Sequence, residues 1–251
     1  MTYCLAIALD KGLVFASDSR THAGVDNINT YRKMHSFIWE KDRLLVLLSA
    51  GNLATTQAVV RRLESEAQND NHEGVTLKNA NSISEAAEYV GRVSREIQNY
   101  QQALVNQQSS FNAGASFIFG GQIQDNMPEL YQIYPEGNFI GASPEHPFLQ
   151  IGETKYGKPI LDRIVESGMS LEDAARAALV SLDSTIRSNL SVGPPLDLMV
   201  YEKDQLCCKT LINFKHNHPY LAGLRKQWSD GLLRVFDELP RFDWEDRTSS
   251  K

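Results

Sequence analysis

The stretch Thr2-Tyr3-Cys4-Leu5-Ala6-Ile7-Ala8-Leu9-Asp10-Lys11-Gly12-Leu13-Val14-Phe15-Ala16-Ser17-Asp18 sets the frame for the rest of the chain. Two short apolar runs, residues 3–9 and 13–17, flank Asp10-Lys11-Gly12. A polar tripeptide ending in glycine between strand-forming runs predicts a β-hairpin, because glycine supplies the positive φ that a tight reversal needs. The returning strand brings Asp18 back near the chain start. There Thr2 follows Met1, and Thr is small enough for the usual Met aminopeptidase, so Thr2 is the expected first residue after Met1 removal. An N-terminal Thr carries a hydroxyl and an α-amine in one residue. With an ordinary pKa of ~7.7–8.0, that amine is a better-matched base at neutral pH than an unshifted Lys. Thr with its own amine is one of the known activated-nucleophile pairs. A Met-Thr start is common, so alone it decides nothing.

Working outward, residues 19–32, with Gly24 and several Asn and Asp, read as a loop ahead of Lys33. Residues 34–39 and 44–49 predict two more strands across the charged turn Glu40-Lys41-Asp42-Arg43. Ala50-Gly51-Asn52 closes this hairpin and leads into a helix marked by Leu53, Val60, Leu63 and Ala67 at helical spacing. A glycine between strand and helix allows close backbone approach and leaves free N–H groups at the helix start, which suit a developing oxyanion. Residues 69–81 are polar and read as exposed. Ser82-Ile83-Ser84-Glu85 has the capping-box pattern and opens a long helix with Ile83, Ala87, Val90, Ile97 and Leu104 on one face. Its glutamines, Gln98, Gln101, Gln102, Gln107 and Gln108, read as a solvated face or an inter-subunit contact.

Residues 113–121, 129–134 and 138–142 predict three strands in meander order, separated by turns at Asp125-Asn126 and Pro135-Glu136-Gly137. Ile151-Gly152-Glu153-Thr154 leads into a helix through Leu161, Ile164 and Val165, with Gly168 as its stop. Ser170-Leu171-Glu172-Asp173 starts another, with a stripe through Ala174, Ala178, Leu182 and Ile186. After a break at residues 189–195, residues 196–202 and 206–214 form a last hairpin across Lys203-Asp204-Gln205. Strands and paired helices therefore come in blocks and do not alternate as βαβ units. That order predicts an α+β fold of antiparallel sheets, each covered by a helix pair. From Asn217 the character changes: Trp228, Leu232, Val235 and Phe236 recur at helical spacing, followed by Pro240 and a polar end. The expected division is a domain over residues 1–214 and a helical C-terminal extension over 215–251, either packed back or serving as an assembly arm.

A chain of 251 residues is long enough for a sizeable core. Net charge −6 with pI ≈ 5.5 argues against a dominant nucleic-acid footprint. The three Cys include adjacent Cys207 and Cys208, without CxxC or Cys/His spacing, so reduced intracellular thiols are expected. His216-Asn217-His218 is an isolated pair and no metal-ligand pattern is present, so neither metal nor organic cofactor is expected. The start lacks a basic n-region, and no apolar run approaches the ~20 residues of a membrane span. The expected setting is cytoplasmic, with no membrane and no nucleic-acid partner.

Thr2, Asp18 within Ser17-Asp18-Ser19-Arg20, Lys33, and Ser49-Ala50-Gly51 ahead of a helix, in this order, resemble the β-subunits of proteasomes and their HslV-type bacterial relatives. The Thr2-Tyr3-Cys4 start and the long tail look more specifically like Anbu, the bacterial proteasome-related family. The resemblance spans about residues 2–214 and implies a four-layer αββα sandwich of two antiparallel sheets, the N-terminal-nucleophile hydrolase fold. It implies Thr2 as nucleophile with its own amine as base, Lys33 as the cation beside the nascent alkoxide, and Asp18 as the partner of Lys33. Gly51 N–H would donate to the tetrahedral oxyanion, a contact that can be worth ~2.7–4 kcal/mol in hydrolases. The distal half departs from the pattern. A Gly-Ser-Gly run before a helix corresponds here to Gly152-Glu153-Thr154, so Glu153 stands for Ser. The family's Asp and Ser before a Gly align with Asn189 and Val192 ahead of Gly193, with Ser191 or Ser188 as a substitute hydroxyl.

The resemblance implies a self-compartmentalising threonine-type peptidase, acting on peptide or protein substrates through a Thr2 acyl-enzyme, in a homo-oligomeric ring or open spiral. Whether an unfoldase or operon partner serves it is not written in the sequence. Glu153 and Asn189 leave two other readings open: a scaffold or binding ring of the same fold, and an amidohydrolase of a small or modified amide.

Overall fold

In a computed structural model, the described residues are 1–22, 28–69, 71–104, 111–242 and 244. Gly24, Gln107, Gln108 and residues 245–251, which carried parts of the sequence reading, lie outside them. The chain forms two compact units, Met1–His216 and Asn217–Lys251.

In the first unit, β1 (Tyr3–Leu9) and β2 (Gly12–Asp18) form the expected hairpin, closing at Leu9↔Gly12. After a small hairpin, β3 (Arg20–His22) with β4 (Ile28–Thr30), come β5 (Met34–Trp39) and β6 (Arg43–Gly51). Helices α1 (Leu53–Gln68) and α2 (Ile83–Ala103) lead to β7 (Ala115–Ile123), β8 (Glu129–Ile133), β9 (Phe139–Gly141) and β10 (Phe148–Gly152). Helices α3 (Thr154–Ile164) and α4 (Leu171–Ser188) precede β11 (Leu196–Glu202) and β12 (Thr210–Phe214). One sheet has the order β10-β1-β2-β11-β12 and the other β5-β6-β7-β8-β9, all pairings antiparallel.

Strand alternation assigns the layers. In β6, Leu45 and Leu47 pack with Val59, Leu63, Ile83 and Val90 beneath α1 and α2. Leu44, Val46 and Leu48 point the other way, against Cys4, Phe15, Met199 and Tyr201 of the first sheet. β6 is thus covered on both faces, which explains its unbroken apolar run. Each fully buried Leu or Phe of these clusters contributes about 1.5–3 kcal/mol. Helices α3 and α4 cover the outer face of the first sheet through contacts with β10, β1 and β2. Helix pair, sheet, sheet and helix pair make the four-layer αββα sandwich.

Several local readings change. β10 and the β3–β4 hairpin are strands that the sequence did not announce, and β12 begins at Thr210, later than read. The polar segment 69–81 is not wholly exposed: Leu77 and Ala80 are buried, and Arg43 Nη1 donates to their carbonyls at 3.2 and 2.8 Å. Ser82 Oγ caps α2 by accepting from Glu85 N–H at 3.1 Å, but Glu85 reaches back to Asn81 N–H (2.6 Å) where a capping box would use Ser82. Gln98, read as solvated, is buried and donates to Ser94 Oγ (2.9 Å) and Pro135 O (3.0 Å).

The second unit carries α5 (Pro219–Asp237), opened by His218 Nδ1 accepting from Tyr220 N–H and by proline in the first turn. Beyond it Phe242 and Trp244 stack with ring centroids 5.3 Å apart. No helix among the described residues is long and apolar enough to cross a membrane.

Candidate active site

The start of β1 is held from both sides. Glu153 N–H donates to Thr2 O at 2.8 Å, extending the β1–β10 ladder one step beyond Tyr3↔Gly152. Gly152 has φ +86°, and a Cβ there would fall 1.9 Å from Thr2 O, so glycine is what lets the two backbones meet. The Tyr3 side chain leaves the opposite face toward α4, where its hydroxyl bonds Ser181 Oγ at 2.7 Å and accepts from Gln150 Nε2. Ser181 Oγ in turn donates to Gly157 O at 3.1 Å. Burial in this network pushes the Tyr3 phenol up to about 12. With Tyr3 anchored outward, alternation along β1 turns Thr2 to the face between the sheets.

Asp18 ends β2 fully buried. Its Oδ1 accepts from Tyr3 N–H at 3.0 Å and from Lys33 Nζ at 2.7 Å, and its Oδ2 accepts from Gly193 N–H at 3.2 Å. Burial raises the Asp18 carboxyl above its ordinary pKa, against the pull of the Lys33 ammonium and the backbone donors. Lys33 is 5% exposed and also donates to Arg20 O at 2.6 Å; among the described residues these two bonds leave one of its three donors for the space beside Thr2. Its own carbonyl accepts from Ser49 N–H at 3.0 Å, so the lysine is fixed at backbone and tip.

Gly51 closes β6 at φ +113°, and a Cβ there would lie 2.4 Å from Gly114 O. Ladder bonds alternate along β6: Asn52 N–H goes to Gly114 O on the β7 side, Ser49 N–H to Lys33 O on the β5 side. The same alternation turns Gly51 N–H to the β5 side, past the last β5 pair, Met34↔Leu48. A cavity of about 360 Å³ opens there, lined by Thr2, Lys33, Gly51, Glu153, Arg32 and Thr56 among others. It juxtaposes a hydroxyl, a buried ammonium, a backbone N–H at a helix start and a carboxylate.

Asn189 and Ser191 are not among its lining residues. Asn189 caps α4, with its N–H on Thr185 O (2.8 Å) and its Oδ1 accepting from Ser191 N–H (2.9 Å). Their loop reaches the site through Gly193 N–H on Asp18, and Arg20 Nη1 ties it down at Leu190 O (2.8 Å). Arg32, Thr21 and Thr56 line the cavity without having been singled out, since lone Thr and Arg carry no spacing signal. Among the described residues no group of three or more His, Cys, Asp or Glu is arranged to hold a metal.

Comparison with known proteins places this geometry in a family. The model of the proteasome subunit family matches residues 2–200. The proteasome subunit beta of Methanopyrus kandleri is 24% identical over 207 residues, covering 81% of this chain and 88% of the relative. The structure of Anbu (ancestral beta-subunit) from Yersinia bercovieri is 44% identical, with a TM-score of 0.89, over 96% of this chain and 99% of that one. An Anbu complex from Pseudomonas aeruginosa, solved as a helical assembly, is 46% identical with a TM-score of 0.89, over 96% of this chain and 98% of that one. The two-sheet sandwich with its cavity at the start of β1, together with these matches, establishes that the chain belongs to the proteasome subunit family, among the Anbu proteins.

Proposed function

We propose that this chain is an N-terminal threonine hydrolase of peptide bonds, with Thr2 as nucleophile once Met1 is removed. The observation that carries the reading is the buried Lys33–Asp18 pair, Nζ to Oδ1 at 2.7 Å, beside a cavity lined by Thr2 and Gly51. Thr2 Oγ attacks the substrate carbonyl carbon while its proton passes to the free Thr2 amine. The Lys33 ammonium lowers the cost of the alkoxide, and Gly51 N–H donates to the oxyanion as the tetrahedral intermediate forms. The Thr2 ammonium then protonates the departing amine, leaving an ester on Thr2 that water cleaves by the reverse proton path. Asp18 holds Lys33 and, through Tyr3 N–H, the start of β1.

The second unit is proposed as an assembly arm. The family model stops at residue 200, whereas the Anbu relatives align over 96% of the chain, so the added segment goes with proteins that include a helical assembly. Head-to-tail contacts of one surface with a different one close into a ring or run on as a helix, according to their rotation. We therefore expect homo-oligomers of one of these forms, in a cytoplasmic setting.

The test is incubation with a peptide epoxyketone or β-lactone, followed by intact mass. The expected result is one adduct on Thr2 of chains lacking Met1, and loss of both adduct and peptide cleavage in a folded Thr2→Ala variant. Unchanged turnover in that variant would sink the mechanism. A missing adduct on a correctly processed chain would point to the scaffold reading, and an adduct without peptide cleavage to a small-amide hydrolase.

A further inference from the structure

We propose that the Glu153 carboxylate holds the α-ammonium of Thr2 after Met1 removal and so sets the pH at which that amine becomes a free base; this rests on Thr2 being the nucleophile.

Glu153 is the cross-strand neighbour of Thr2, one step beyond Tyr3↔Gly152, with its N–H on Thr2 O. Along an antiparallel strand successive N–H groups turn alternately to the two neighbouring strands. The Thr2 nitrogen is therefore turned toward the Glu153 side of the ladder, while Tyr3 N–H points the other way, to Asp18. The Glu153 side chain is 12% exposed and lines the cavity. Its Oε2 is buried without a hydrogen-bond partner among the described residues. Lys155 Nζ, 3.7 Å away and 67% exposed, is beyond hydrogen-bond reach. A buried carboxylate oxygen that lacks a donor, on a residue lining the same cavity as Thr2, matches a cation generated there.

The charged groups around the amine are Lys33 from the segment before β5, Asp18 from β2, Glu153 from the end of β10, and Arg32 on the cavity wall. With Met1 still in place, the terminal ammonium already feels most of them: burial and Lys33 lower its pKa, while Asp18 and Glu153 raise it. The chemistry balances simply. The carboxylate accepts an N–H bond from the ammonium, the ammonium loses a proton to solvent, and the free amine later takes the Thr2 Oγ proton as the bond to the carbonyl carbon forms. An anion beside an ammonium favours the charged form, so neutralising Glu153 lowers the pH at which the amine is freed.

The experiment follows acylation of the Thr2 α-amine by trace acetic anhydride across pH, read by mass spectrometry of the N-terminal peptide. It uses chains whose Met1 removal, driven by coexpressed Met aminopeptidase, is verified by intact mass. Glu153→Gln should label about tenfold faster than wild type near about pH 6.5, and the acid limb of turnover should move to lower pH. Glu153→Asp, which keeps the charge, should stay close to wild type, and Glu153→Ala repeats the comparison if the Gln variant folds poorly. Superimposable labelling curves for wild type and the neutral variants would overturn the proposal. Failure of the nucleophile reading shows separately, as absence of an epoxyketone adduct, and leaves the amine titration readable.

Discussion

At the scale of single residues the site turns on Lys33 and Asp18. Both are buried, and each satisfies the other while also binding backbone groups. Removing one charge strands its partner, and breaking a buried pair from one side costs about 3–5 kcal/mol. Asp18→Asn should therefore lower unfolding free energy by about that amount, as should Lys33→Met. The double variant Asp18→Asn with Lys33→Met should lose much less than the sum, because no uncompensated charge remains. Urea unfolding of the four proteins measures this coupling; strictly additive losses would mean that the pair is not energetically linked. Thr2, Asp18, Lys33 and Gly51 were singled out by their order along the chain; the structure sets Thr2, Lys33 and Gly51 on one cavity, with Asp18 reaching it only through its bond to Lys33. The Gly193 contact to Asp18 was not, because it joins residues 175 positions apart and uses only a backbone N–H, to which side-chain chemistry gives no clue.

At the scale of elements, sequence patterns were readable where one physical cause dominated. The β1–β2 hairpin combines apolar runs with a turn glycine, and α4 combines a Ser170 cap with a regular apolar stripe, so both were legible. β10 was not: five residues, Phe148–Gly152, are too few for a period, and Gln150 looked polar although it is buried and donates to the Tyr3 hydroxyl under α4. Segment 69–81 misled for the opposite reason, since mostly polar letters conceal two core residues fixed by a distant arginine. That arginine gives a test. Arg43→Met should leave the Leu77 and Ala80 carbonyls without their donor, each at about 1–3 kcal/mol. Amide hydrogen exchange over residues 76–80 should quicken well before exchange in β6 and β7 does. Uniform acceleration throughout the sandwich would mean that Arg43 supports the global fold and not this segment.

At the scale of the whole molecule, the two units invite separation. The first contains both sheets, both sheet-covering helix pairs and all the cavity residues. The second, taken by itself, has Leu232, Leu233, Val235 and Phe236 exposed on or beside one another along α5, and no residue of that helix is buried. Contiguous exposed apolar surface of this kind marks an interaction site more often than a solvated face. Truncation after His216 should accordingly leave the far-ultraviolet spectrum of an α+β domain and move the melting midpoint by no more than ~2–4 °C, the effect of about 1 kcal/mol in a domain this size. With the second unit as the proposed assembly arm, particle mass by light scattering should fall. Substituting Leu233 and Phe236 with Ser in the full chain separates the apolar face from mere length, and should reproduce the smaller particle. An unchanged particle mass in both variants would place the assembly contacts on the sandwich itself and remove the arm from the model.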